Sequence, residues 1–270
     1  MALSGPPCSG RVCVVTGASS GIGQSLALAM ARRGDLVVAI GRSAERLSAT
    51  SALLAAAGPG AHRTLRLDVA SEAEMAVLRA EVEALGRVDV LIASAAVGRG
   101  LGGRALPWPT AELPLADWQA MLDVNLHGVF LSNMAVLPLM RARGEGEIVN
   151  ICSSTTPRGL RGTALAPGYA ASKFALAEMG RVLAEEVGPE GVRVRTIFPG
   201  PVETPLIRDT LLDGPFGGRI SDASFATALL GLLDLGRGDQ EGGGMPVDPH
   251  VLPVPTRGRG GRGAARRGER

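Results

Sequence analysis

Short apolar runs alternate with Ala/Leu-rich segments over most of the chain. Runs of five to seven residues that are rich in Val and Ile, and that end in Gly or polar residues, are typical of strands buried on both faces. We predict six such strands, at 11–16, 36–40, 63–69, 88–93, 147–151 and 192–198. The intervening segments predict helices at 26–33, 45–57, 72–85 and 117–141, the last with Asp117 as its cap. A further helix is predicted to bear Tyr169 and Lys173 and to end at about Val187. This alternation predicts an α/β fold, a Rossmann-type doubly wound parallel sheet in a single domain.

The pattern weakens after residue 200. We expect mainly loop with short helical pieces at 201–224, a helix at 222–235, and a last strand at 250–254 that Pro253 confines to a sheet edge. The end of the chain is rich in Arg and Gly and is expected to be a disordered tail. The predicted organisation is therefore an N-terminal extension at 1–10, one domain at 11–255 and a tail at 256–270.

Composition refines this fold. Of the 270 residues, 46% are hydrophobic but only 3% are aromatic, so the core is aliphatic, as in a parallel sheet covered by helices. The net charge is +2, but residues 257–270 carry six Arg and one Glu, so the rest of the chain is about −3. The slightly negative charge of the rest of the chain gives no indication of a nucleic-acid-binding face. The basic tail lacks the aromatic residues that would favour RNA binding.

The cysteines and the apolar runs bear on location. Cys8, Cys13 and Cys152 have neither disulfide nor metal-ligand spacing, and the chain begins without a secretory signal, so we expect a cytoplasmic protein without a metal site. No apolar run approaches the roughly 20 residues of a membrane span, so we expect no membrane partner.

The only tyrosine and the only lysine of the chain, Tyr169 and Lys173, lie four residues apart. On a helix this spacing places both side chains on one face. An ammonium close to a phenol lowers the phenol's pKa from its usual value near 10, whereas a planar guanidinium does this less well. The pair therefore predicts a general acid/base site with Lys173 lowering the pKa of Tyr169.

A glycine cluster at 16–23 follows the first predicted strand and precedes the first predicted helix. Strand, glycine turn and helix together are the context of a dinucleotide-binding loop, in which the backbone approaches a pyrophosphate. The second strand ends at Gly41 and Arg42, where an acidic residue would favour NAD. Arg42 favours NADP, unless it only ends the strand.

Taken together, these motifs resemble the short-chain dehydrogenase/reductase family, in its compact one-domain branch. The resemblance rests on TGASSGIG at 16–23, LDV at 67–69, DVNLHG around Asn125, VNICSS around Ser153, YAASK at 169–173 and FPGPVET at 198–204. It implies an oxidoreductase that interconverts a ketone or aldehyde with an alcohol, with NADP preferred over NAD. Family members often form homodimers or homotetramers through two long helices, and the sequence is compatible with this.

The resemblance also implies a role for each motif residue. Tyr169 is the implied proton donor and acceptor, Lys173 binds the nicotinamide ribose, Ser153 orients the substrate oxygen, and Asn125 perturbs its helix and supports a proton relay. The implied cofactor contacts are Gly17, Ser19, Ser20, Gly21, Ile22, Gly23, Arg42, Asp68, Val69, Ser94, Ala95, Tyr169, Lys173, Pro199, Gly200, Val202 and Thr204.

Three departures from the family pattern stand out, and the first and the third support a second hypothesis, although all four residues of the implied proton relay are present. Ala93-Ser94-Ala95-Ala96 stands where the family usually has Asn-Asn-Ala-Gly, Ser153 precedes Tyr169 by a longer interval than usual, which leaves Ser154 as a rival, and the C-terminal part is atypical. The alternative is therefore a non-catalytic protein of the same fold, acting as a nucleotide-binding scaffold or regulator. The sequence does not identify a substrate, although Trp108 is a candidate to line its pocket.

Overall fold

Six parallel strands form the central sheet of the computed structural model, which describes residues 10–98, 109–153, 166–207 and 220–235. The strand order is β3-β2-β1-β4-β5-β6. The predicted doubly wound parallel sheet is confirmed. The strands are β1 (Val12–Thr16), β2 (Leu36–Gly41), β3 (Arg63–Arg66), β4 (Val90–Ala93), β5 (Gly146–Ile151) and β6 (Val192–Ile197).

Helices cover both faces of this sheet. They are α1 (Gly21–Arg32), α2 (Ala44–Ala57), α3 (Glu72–Leu85), α4 (Leu115–Leu122), α5 (Gly128–Arg143), α6 (Pro167–Val187) and α7 (Asp222–Leu235). Successive strand residues point to opposite faces, so Val15 packs with α1 and α7 while Val14 packs with α3 and α5. The central strands β1, β2 and β4 are buried on both faces and are therefore continuous apolar runs, whereas the edge strands β3 and β6 are partly exposed and carry arginines.

Two helix starts differ from the predictions. The first helix begins at Gly21 rather than at residue 26. Glycine disfavours helices, but Gly23 packs so closely that a β-carbon there would lie 2.5 Å from the carbonyl oxygen of Gly17. The prediction that Asp117 caps the long helix is wrong, because α4 begins at Leu115 with Pro114 as its N-cap and Asp117 lies in the first turn.

The predicted long helix is interrupted. A π-helical turn, Asp123–His127, separates α4 from α5, so the chain gains one residue per turn at this point. Asn125 lies inside the turn, which agrees with the expectation that this residue perturbs its helix.

The region after β6 contains short strands that the sequence did not predict. Strand β7 (Val202–Glu203) pairs in parallel with β8 (Ile220–Ser221), and α7 follows directly. Two residues are too few to show a period of two, so the pattern suggested loop. The predicted strand at 250–254 and the tail lie outside the described residues, and the proposed domain limits remain predictions.

One helical stretch of the described residues, Leu115–Arg143, is long and apolar enough to cross a membrane by length and composition alone. More than half of its most apolar window is buried inside the fold. Packing against α3, α6 and the sheet accounts for its apolar character, as expected for a core helix.

Candidate active site

The candidate site lies at the carboxyl ends of β1, β4 and β5. In the strand order, β1 and β4 are neighbours although the chain leaves β1 towards β2. At such a reversal the loops leaving the two strands diverge and open a crevice, where ligands bind in open α/β sheets. The predicted glycine turn, the serine and the Tyr169 helix all follow these strand ends.

The glycine turn is shaped by close backbone contacts. Gly17 and Gly21 have positive φ angles of 68° and 55°, which favour glycine. A β-carbon on Gly17 would lie 2.8 Å from the Cα of Ala95, and one on Gly21 would lie 3.1 Å from the Cγ2 of Thr204. The turn is thus a narrow cradle that side chains would fill, bounded by the loop after β4 on one side and by Thr204 on the other.

The loop after β4 carries the atypical Ala93–Ala96 segment and is held in place by hydrogen bonds to the end of β1. The buried hydroxyl of Thr16 accepts hydrogen bonds from the backbone N–H groups of Ser94 (3.1 Å) and Ala95 (3.2 Å). These bonds join the ends of β1 and β4 without the amide side chains that the family uses. The segment therefore keeps its place beside the glycine turn.

Asn125 continues this bracing one step along the loop. Its Oδ1 accepts from the N–H of Val97 (2.7 Å) and its Nδ2 donates to the carbonyl of Val97 (2.9 Å). The same Nδ2 donates to the hydroxyl of Ser172 (3.1 Å), which in turn donates to the carbonyl of Tyr169 (2.8 Å). The π turn thus places one fully buried amide where it connects the β4 loop to the helix of Tyr169.

Tyr169 and Ser153 meet at the open end of the crevice. The side chain of Ser153, which follows β5, hydrogen-bonds the hydroxyl of Tyr169. Burial raises the pKa of Tyr169 to about 12, and the bond from Ser153 opposes that rise. The rival Ser154 lies outside the described residues, so the structure gives a position to Ser153 alone.

Lys173 lies beneath Tyr169 with 2% of its surface exposed. Its Nζ donates to the carbonyl of Ile151 (2.8 Å) and lies 5.8 Å from the centre of the Tyr169 ring. Burial lowers the pKa of Lys173 to about 8. Burial of the phenol raises the pKa of Tyr169 even with this ammonium over its ring, and the expected lowering by Lys173 stays a prediction.

Close packing fixes the depth of α6. Gly180 lies seven residues after Lys173, and a β-carbon there would overlap the Oγ1 of Thr196 in β6. Cys152 contributes a further tie, since its buried Sγ donates to the carbonyl of Lys173 (3.1 Å). Burial raises the pKa of Cys152, so this thiol stays protonated and fills the end of β5.

The segment 201–207 crosses the crevice between the glycine turn and Tyr169. Thr204 contacts Gly21, as described above, while Leu206 lies against Gly98. A β-carbon on Gly98 would lie 3.1 Å from the Cδ1 of Leu206 and 4.0 Å from the Cδ2 of Tyr169. Gly98 and Leu206 therefore form an apolar wall beside the ring of Tyr169.

Arg42 lies at the far end of the crevice, where β2 ends. Its Nη1 is 3.6 Å from the Oδ2 of Asp68, and both side chains are partly exposed, at 56% and 36%. Gly41 precedes it, and a β-carbon at position 41 would lie 3.0 Å from the Oγ of Ser19. Arg42, Asp68 and Ser19 are therefore brought to the same corner.

The other predicted contacts are positioned by capping and packing. Ser20 is the N-cap of α1 but its side chain makes no capping bond. Ile22 packs on the core, Val202 is buried in it, and Val69 fits against Gly128. Pro199 is buried and Gly200 is partly buried. Among the described residues, no group of His, Cys, Asp and Glu side chains has metal-binding geometry.

Sequence reasoning missed several contributors. Thr16 braces the β4 loop, Ser172 links Asn125 to α6, and the carbonyl of Ile151 holds Lys173. A buried hydroxyl at the last residue of β1 was a usable signal for Thr16. A backbone carbonyl has no sequence signal, because every residue carries one.

Comparisons with known proteins agree with this geometry. A family model described as short chain dehydrogenase matches residues 11–213. The D-threitol dehydrogenase of Mycolicibacterium smegmatis is 40% identical over 209 residues, which cover 77% of this chain and 76% of that protein. The crystal structure of a levodione reductase has a TM-score of 0.72 at 29% identity, and the match covers 83% of this chain and 90% of that one.

Two further similar structures contain nicotinamide cofactors. One is a xylitol dehydrogenase bound to NAD+, with 27% identity, a TM-score of 0.65 and 72% of each chain covered. The other is an alcohol dehydrogenase from the archaeon Thermococcus sibiricus in complex with 5-hydroxy-NADP, with 27% identity, a TM-score of 0.69 and coverage of 83% of this chain and 90% of that one.

Proposed function

The chain belongs to the short-chain dehydrogenase family, and from this premise we propose that it is an NADP-preferring oxidoreductase that interconverts a ketone or aldehyde with an alcohol. The observation that carries the proposal is the hydrogen bond between Ser153 and Tyr169 above the buried Lys173. All three lie at the sheet's reversal point, next to a glycine cradle.

Tyr169 is the proposed proton donor in carbonyl reduction and the acceptor in alcohol oxidation. With a pKa of about 12 its hydroxyl carries its proton at neutral pH, which is the form that reduction needs. Ser153 shares the hydrogen bond and is the proposed second donor to the substrate oxygen. Two donors on one oxygen favour the build-up of negative charge there.

Lys173 is the proposed partner that returns the proton to Tyr169. With a pKa of about 8, it is mostly protonated at pH 7 yet loses its proton readily. The carbonyl of Ile151 orients its Nζ. Asn125 is a proposed positioning residue, since its hydrogen bonds within the described part of the chain go to Val97 of the β4 loop and to Ser172.

The glycine turn fits a dinucleotide. Its cradle would be filled by side chains at 17 and 21, and the N-terminus of α1 lies directly behind it, which favours a pyrophosphate. When bound, a nicotinamide cofactor supplies the hydride that the carbonyl carbon accepts. Arg42, together with glycine rather than an acidic residue at position 41, supports NADP over NAD.

The proposed substrate is a small alcohol or carbonyl compound. The wall formed by Gly98 and Leu206 beside Tyr169 supports an apolar contact surface next to the reacting oxygen. The similar protein from Mycolicibacterium smegmatis is named for a polyol and the similar crystal structure for a dione. Neither name transfers directly, because the residues 99–108 and 208–219 lie outside the described ranges.

We also propose that a second copy of the chain packs on α5 and α6. Phe130 and Met134, four residues apart on α5, are exposed at 46% and 47%, and Phe174 and Val182 of α6 are exposed at 41% and 48%. Large apolar side chains on two adjoining helices favour burial in an interface.

The described cysteines, Cys13 and Cys152, are buried free thiols, which supports a reducing compartment such as the cytoplasm.

The test is to measure binding and turnover separately. The purified protein is titrated with NADPH and with NADH by cofactor fluorescence, and cofactor oxidation is then followed with a panel of small ketones and aldehydes. Tyr169→Phe, which removes only the hydroxyl, is expected to lower turnover about 10²- to 10⁴-fold and to change the dissociation constant for NADPH by less than about twofold. Binding without turnover on every substrate would favour the scaffold hypothesis, and failure to bind either cofactor would reject both.

A further inference from the structure

A second arginine lies at the corner where β2 ends. Arg66, the last residue of β3, is paired directly with Gly41 across the parallel ladder. Its Nε donates to the carbonyl of Arg42 at 3.3 Å. The side chain of Arg66 therefore leans across the end of β2 and brings its guanidinium next to the backbone of Arg42.

The charges around this corner leave Arg66 available. The carboxylate of Asp68 lies near Arg42, and the carboxylate of Glu74 accepts the backbone N–H of Asp68 at 2.7 Å. Within the described ranges, no carboxylate lies at ion-pair distance from Arg66, and its side chain is exposed. Its terminal nitrogens are thus free to bind an anion from solvent.

The shape of the corner favours the same conclusion. Residues paired across a ladder project to the same face of the sheet, so Arg66 shares its face with the missing side chain of Gly41. An acidic residue at 41 would repel a phosphate and would pair with Arg66 itself. Glycine removes both effects and leaves Ser19 as the neighbour on that face.

We propose that Arg66 is a specificity-determining residue that binds the 2′-phosphate of NADP(H) together with Arg42. This inference rests on the proposed NADP preference. A guanidinium presents a planar fork that matches a phosphate, and two forks can hold different oxygens of one dianion. Arg66 offers a guanidinium from the end of β3, and Arg42 offers a second one from the turn after β2.

The experiment compares a ligand with a 2′-phosphate and one without it. The intact protein, Arg66→Gln and Arg79→Gln are titrated calorimetrically with adenosine 2′,5′-bisphosphate and with 5′-AMP. Arg66→Gln is expected to weaken the bisphosphate by about 10- to 100-fold and to leave 5′-AMP within about twofold. Arg79→Gln removes the same charge from an exposed position on α3 and is expected to change neither.

The other possible outcomes contradict either the role of Arg66 or the proposed NADP preference. If the unchanged protein prefers the bisphosphate but Arg66→Gln binds both ligands as before, Arg66 has no role and the NADP preference rests on Arg42 alone. If Arg66→Gln weakens both ligands equally, the arginine only supports the strand end, and the inference is wrong. If the unchanged protein shows no preference, the proposed NADP preference itself is wrong. Arg66→Lys, which keeps the charge without the fork, is expected to retain part of the preference.

Discussion

Replacing Lys173 by Met is expected to stabilise the free protein. Burial lowers the pKa of Lys173 from 10.5 to about 8. At roughly 1.4 kcal/mol per pKa unit this difference corresponds to about 3–4 kcal/mol, which opposes folding at neutral pH because the folded protein must bury an ammonium. The bond from Nζ to Ile151 returns about 1.5–3 kcal/mol of this. Met fills similar space without the charge, so we expect a net gain of about 0.5–2 kcal/mol together with loss of turnover.

The pH dependence identifies the origin of that gain. The folded pKa lies below the unfolded pKa, so between pH 8 and 10.5 the unfolded chain binds a proton that the folded protein does not. Wild-type stability therefore gains this contribution as pH rises through the window, and loses it as pH falls. The difference in stability between Lys173→Met and the wild type should fall by about 2–3 kcal/mol between pH 7 and pH 10, so that the wild-type protein is at least as stable as the variant at pH 10. Tyr169, with its pKa raised to about 12, is present in both proteins and largely cancels.

Urea unfolding at pH 7, 8, 9 and 10 measures this difference. Arg79→Met removes an exposed cation from α3 and should show no trend over the same range. An advantage of Lys173→Met that is equal at pH 7 and pH 10 would refute the reasoning, because it would mean that the buried ammonium is not what the substitution relieves.

Three further substitutions test the site. Gly17→Ala should abolish cofactor binding, because the new methyl group would clash with the β4 loop. Gly144→Ala is the control: its φ of 66° is similar but the space around it is open, so it should cost only about 1 kcal/mol of strain. Equal effects of the two substitutions in thermal melts and NADPH titrations would contradict this. Asn125→Leu removes three buried bonds and should cost about 3 kcal/mol in urea unfolding, and a loss below about 1 kcal/mol would show that Val97 finds other partners. Gly98→Val should raise KM for bulky ketones and leave NADPH binding unchanged, so a parallel loss of NADPH affinity would place this residue elsewhere.

The fold could be predicted because parallel strands covered on both faces must be continuously apolar. The start of α1 could not, because its first turn is built from glycines whose role is close approach and not helix formation. The π turn at Asp123–His127 could not be predicted from the sequence pattern, since one extra residue leaves the apolar pattern of the long helix almost unchanged. Only the resemblance pointed to Asn125.

The sequence pointed to Tyr169 and Lys173 as neighbours but not to their electrostatics. Tyr169 and Lys173 stood out by composition and spacing, and the structure places them at one end of the sheet. The direction of their pKa values depends on the balance between burial and charge, and that balance follows from depth in the fold. A sequence does not state that Lys173 would be 2% exposed beside the carbonyl of Ile151.

Gly180 shows that an enzyme can set an active-site distance at a residue remote from it. It lies two helical turns, about 10 Å, from Lys173 along α6. Because it has no side chain, α6 rests directly on Thr196, and this contact fixes how far Lys173 reaches towards β5. A single methyl group at position 180 would lift the helix from the sheet and withdraw the ammonium with it. Mutational tolerance at such a distant position therefore reports on catalytic geometry, and a search limited to residues around the crevice would overlook it.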